Sequence, residues 1–74
     1  MSKEVSRIRR VISSVKRPED LAELVRMAKL EVAVGLAHRD LGRFDRGVAV
    51  YEAATEALGN ARTLGQLPRY PQAA

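Results

Sequence analysis

Residues 35–54 read GLAHRDLGRFDRGVAVYEAA, and this stretch decides the fold. Gly42 divides two segments that each carry apolar residues at helical spacing. Upstream, at about 100° per residue, Leu21, Val25, Ala28, Val32 and Leu36 fall on one stripe. Downstream, Phe44, Val48, Tyr51, Ala54 and Leu58 form another, with Gly47 on the same face. Two amphipathic helices joined across Gly42–Phe44 predict an antiparallel helix–turn–helix hairpin. Its expected core is Val32, Leu36, Phe44, Val48, Tyr51 and Leu58.

Working outward, the upstream helix is expected over 18–41. Pro18 suits a first helical turn, where its missing N–H leaves nothing unpaired. Glu19, Asp20 and Glu23 follow at the positive end of the helix dipole. Gly42 would close the helix as a left-handed residue. The downstream helix is expected over 44–62. A further helix is expected over 3–16, where Val5, Ile8, Val11, Ile12 and Val15 recur at helical spacing. It must stop before Pro18, which disfavours helical geometry in its predecessor. The reading is therefore all-α: three helices in one domain over 1–64, and a flexible tail over 65–74 containing Pro68 and Pro71.

Both hairpin helices carry a second apolar stripe. On the first it is Met27, Leu30, Val34, Ala37 and Leu41; on the second, Val50, Ala53, Ala57, Ala61 and Leu64. A helix apolar on two sides is normally sandwiched between neighbours. Met27, Leu30, Val34, Val50, Ala53 and Ala57 are accordingly the expected partner-binding residues.

Composition points the same way. A chain of 74 residues buries only about 60% of the surface its unfolded form exposes. It has no cysteine and a single histidine, His38, which excludes disulfides and thiolate or histidine-rich metal sites. Association, with itself or with another protein, is the remaining source of stability, and no cofactor is expected. Aromatics are few and alanine abundant, which favours close-packed helices. No apolar run reaches the roughly 18 residues of a membrane span. The basic start lacks the apolar block of a secretory signal, so the cytoplasm is the expected compartment.

The segment 35–54 resembles a tetratricopeptide (TPR) hairpin through Gly35, His38, Gly42, Phe44, Gly47, Tyr51 and Ala54. That resemblance implies small residues where the helices touch, an aromatic closing the turn, and Tyr51 filling the crevice. The first helix starts about ten residues earlier than in a TPR and no second copy follows, which favours a lone hairpin over a stacked array. The chain is also similar to the small co-chaperones of type III secretion needle subunits. The matching residues are Leu30 to Val34, Arg39 to Leu41, Val50-Tyr51, Ala57-Leu58 and Ala61. This likeness implies binding to a TPR-like chaperone, the pair holding an aggregation-prone needle subunit.

The net charge of +4 is concentrated: residues 1–17 carry +5 and the rest −1. Arg7, Arg9, Arg10, Lys16 and Arg17 form a basic patch that suits either an acidic partner or nucleic-acid phosphates. It has no asparagine, glutamine or aromatic to read bases, and no bulky apolar anchor for a membrane surface. No catalytic constellation is present. His38 lacks a cysteine or serine partner, Glu52 and Glu56 share a helix face without a histidine, and the glycines are too scattered for a phosphate loop. The expected function is non-enzymatic: a small bacterial adaptor or co-chaperone working by helix-in-groove recognition. The alternative is a small basic nucleic-acid-binding protein.

Overall fold

A computed structural model describes residues 3–59 and 67–71. Three helices follow in order: α1 Lys3–Ser13, α2 Pro18–Ala37 and α3 Leu41–Leu58. The described residues contain no strand, and the all-α expectation holds. Antiparallel packing of α2 on α3 forms the central hairpin.

α1 and α2 start at 3 and 18 as expected, while the other helix ends fall three or four residues earlier than the sequence-based boundaries. α1 stops at Ser13 rather than 16. There Ser13 and Ser14 turn their hydroxyls onto the carbonyls of Arg10 and Val11, at 2.7 and 2.6 Å. Side chains that bond the preceding turn in this way compete with helix propagation. Val15 leaves the helix but stays half-buried against the core.

The hairpin turn lies at His38–Asp40, upstream of the expected Gly42–Phe44. Arg39, not Gly42, takes the left-handed conformation, with φ 55°. The N–H groups of Arg39 and Asp40 donate to the carbonyls of Leu36 and Gly35, at 3.3 and 2.8 Å. This pair of bonds is a Schellman motif. Asp40 then caps α3, its carboxylate accepting the Arg43 N–H at 3.1 Å. Gly42 consequently belongs to the first turn of α3. That helix closes at Gly59, left-handed with φ 78°, so it ends before the expected 62. Ala61 and Leu64 of the second stripe lie outside the described residues.

The α2–α3 interface is built on absent side chains. A Cβ on Gly35 would stand 2.6 Å from the Phe44 backbone nitrogen; one on Gly47 would stand 2.8 Å from Val32 Cγ2. The two glycines let the helices approach until Val32, Tyr51 and Ala54 are fully enclosed. α1 packs on α3. Glu4 meets Arg46 at 3.5 Å and Arg9 meets Glu56 at 2.7 Å, so α1 and α3 run in the same direction. Ile12, Leu21 and Ala53 bring all three helices into one cluster, flanked by Ile8, Leu24, Val50 and Leu58.

Among the described residues of the expected loose tail, Tyr70 is anchored. The Tyr70 ring lies edge-on to Phe44, centroids 5.3 Å apart and planes at 61°. Pro68 and Pro71 bracket this contact and restrict the backbone around it, which lowers the entropy lost in holding it.

Candidate interaction surfaces

Packing of α1 divides the expected partner-binding residues into two groups. Ala53 is buried against Ile12 and Leu21 and serves the core, a correction to the expected outer stripe of α3. Val50 is half-buried: it packs beside that cluster and also lines a recess shared with Met27. Ala53 is covered because α1 needed an apolar seat, and the small side chains of α3 allow close approach. Ala57, a turn further on, remains exposed.

The second stripe of α2 stays uncovered. Met27 is 55% exposed and Leu30 63%, with Val34 half-buried and Ala37 exposed beside them. They lie opposite the face formed by Leu21, Ala28, Val32 and Gly35, which is buried against the rest of the protein. Glu23 and Arg26 pair at 3.3 Å on one margin, and Glu31 and Arg43 pair at 3.2 Å on another. Next to Met27, a recess of about 270 Å³ opens between α2 and α3, lined also by Leu24, Arg46, Gly47 and Val50. Of the expected hairpin core, Val32, Phe44 and Tyr51 are buried, and Leu36, Val48 and Leu58 half-buried.

The basic patch is also split. Arg9 is turned inward and grips Glu56 with both terminal nitrogens, at 2.7 and 3.5 Å. The hydrogen bond and the adjacent charge hold the Glu56 carboxyl below its usual range and raise the Arg9 guanidinium. Arg17 bonds Glu19 at 2.8 Å. Glu19 is likewise lowered, first by a backbone hydrogen bond and then by Arg17. Arg7, Arg10 and Lys16 are left exposed. Lys3 joins them on α1, one helical turn before Arg7. Lys3 counts toward the basic charge of residues 1–17 but not toward the expected patch, and its i, i+4 spacing to Arg7 is the signal that adds it.

His38 sits exposed at the end of α2, where its backbone N–H bonds Val34. Among the described residues no group of three or more histidine, aspartate and glutamate side chains is placed to hold a metal ion. Nor is any helix among them long and apolar enough to cross a membrane. Compared with family models, with curated proteins and with solved structures, the chain matches none.

Proposed function

We propose that the protein is a non-catalytic helical adaptor or co-chaperone that holds another protein against the outer face of α2. One observation carries this reading. Met27 and Leu30, two large apolar side chains at helical spacing, stand more than half exposed opposite the buried face. Scattered exposed apolar residues are ordinary, but a continuous stripe on one helix suits helix-in-groove recognition. The glycine-mediated contact of α2 and α3 supports a TPR-like hairpin as the scaffold. In the co-chaperone form of the proposal, the partner is a TPR-like chaperone and the pair shields a secretion subunit in the cytoplasm. A second copy of the chain is the competing occupant.

Leu30→Asp and Met27→Asp test the proposal. Both side chains are exposed, so unfolding free energy should stay within about 0.5 kcal/mol of the parent. Association should fall sharply. Sedimentation reads self-association, and a photo-crosslinker at position 30, compared with one at exposed Val11, reads a hetero-partner in the host cell. Equal crosslinking from the two positions, with no self-association, would defeat the proposal.

A further inference from the structure

The outer face of α1 is the second surface the fold leaves unmatched. Lys3, Arg7 and Arg10 recur at i, i+4 and i+7, so they stack on one side of the helix while Ile8 and Ile12 face the core. All three are exposed. The remaining exposed residues there are Ser6, Val11, Ser13 and Ser14, none of them acidic. Glu4, the acid of α1, is drawn toward α3 by Arg46.

The contrast with the rest of the molecule is informative. Arg9, Arg17, Arg26, Arg43 and Arg46 each lie within 3.5 Å of a carboxylate, while exposed Arg39 and Arg69 form no such pair among the described residues. Arg7 and Arg10 instead face each other and Lys3 at helical neighbour spacing, where like charges weaken a helix. Lys3 also sits in the first turn, at the positive end of the dipole. A face that merely needed solvation would be served better by mixed charge, as on α2. Lys3 and the like-charge spacing cost helix stability, offset only in part by Arg10 in the last turn, at the negative end of the dipole.

We infer that Lys3, Arg7 and Arg10 form a binding stripe for the sugar-phosphate backbone of duplex nucleic acid. From Lys3 to Arg10 the helix rises about 10 Å, a length over which a duplex presents about six phosphate charges. An anionic membrane is disfavoured because, among the described residues, Val11 is the only apolar side chain this face offers for insertion. Single strands are disfavoured because no aromatic on it can stack a base. Contacts to phosphate alone carry no sequence information, so binding through this stripe is independent of sequence.

The test is a fluorescence titration of a mixed-sequence duplex of about 20 base pairs at rising salt. Three phosphate contacts give a slope of about −2.7 in log K against log salt, hence a loss of about 40-fold between about 50 and about 200 mM. Arg7→Gln with Arg10→Gln should leave a slope near −0.9 and a loss of only about 4-fold. Arg26→Gln, at a paired arginine on α2, and Leu30→Asp should leave the parent slope unchanged, which separates this stripe from the protein-binding face. Circular dichroism checks that the helices persist. No duplex binding at low salt, an unchanged slope in the double variant, or binding to phosphatidylserine vesicles but not to duplex would overturn the inference.

Discussion

Arg39 holds a left-handed backbone, φ 55°, at the point where α2 turns into α3. For a residue with a Cβ this geometry costs roughly 1–2 kcal/mol. It persists because the Schellman bonds to Gly35 and Leu36 and the Asp40 cap fix the turn on both sides. Glycine would relieve the strain and lose part of the gain to unfolded-state entropy. Arg39→Gly should therefore raise the unfolding free energy by about 0.5–1 kcal/mol in urea titration. Gly35 is the converse case. Its Cβ would meet the Phe44 backbone, at 2.6 Å from N and 2.9 Å from Cα, and backbone cannot swing aside as a side-chain tip can. Gly35→Ala should lower stability by about 1–3 kcal/mol in the same titration. Equal stabilities for the two variants would contradict this account of the turn.

At the scale of elements, α1 is fastened to α3 by Ile12 in the shared cluster and by the Arg9–Glu56 pair. Because Glu56 has a lowered pKa in the folded protein, its contribution is complete above the ordinary glutamate value of about 4.3. It is lost as pH falls through the lowered folded value. Both partners are solvent-accessible, so the effect is small and salt-sensitive. Acidification should lower the parent's stability more than that of Glu56→Gln, whose residual slope comes from Glu19 and other carboxylates. Unfolding free energies measured at neutral pH and at about pH 3 make the comparison. Parallel pH curves for the two proteins would show that the pair does not fasten α1.

The periodicity of α1 was plain in the sequence; its seat was not. Val50 and Ala53 form a stripe of modest side chains that would suit a foreign helix as well as α1, and periodicity cannot distinguish the two. The turn was misplaced for a related reason. Gly42 is the residue most able to end a helix, yet Asp40 is the better cap for the next one. Once Asp40 takes that role, Arg39 must carry the left-handed geometry. The outer stripe of α2 was legible because α2 has apolar residues on opposite sides and the packed helices cover only one.

At the scale of the whole molecule, the enclosed hydrophobic residues among those described are Ile12, Leu21, Ala28, Val32, Phe44, Tyr51, Ala53 and Ala54. Three are alanines, so little area is buried and each large side chain matters. Tyr70 reaches one of them, Phe44, from outside the helices. Edge-to-face aromatic pairs contribute about 0.5–1.5 kcal/mol beyond burial. In a domain of this size each kcal/mol shifts the melting temperature by about 4–8 °C. Tyr70→Ala should lower Tm by several degrees in a calorimetric scan; an unchanged Tm would mean that the ring contact adds nothing.

The Tyr70 contact has a mechanical side as well. Glu4 is bound by Arg46 and Tyr70 by Phe44, both in the opening turns of α3. Two handles attached near residues 4 and 70 would therefore leave from the same end of the bundle. Tension between them would load the α1 and Tyr70 attachments first and reach the α2–α3 seam only after those had peeled away. Under pull, the hairpin is the last part to fail, and the outer face of α2 keeps its shape while its surroundings come undone.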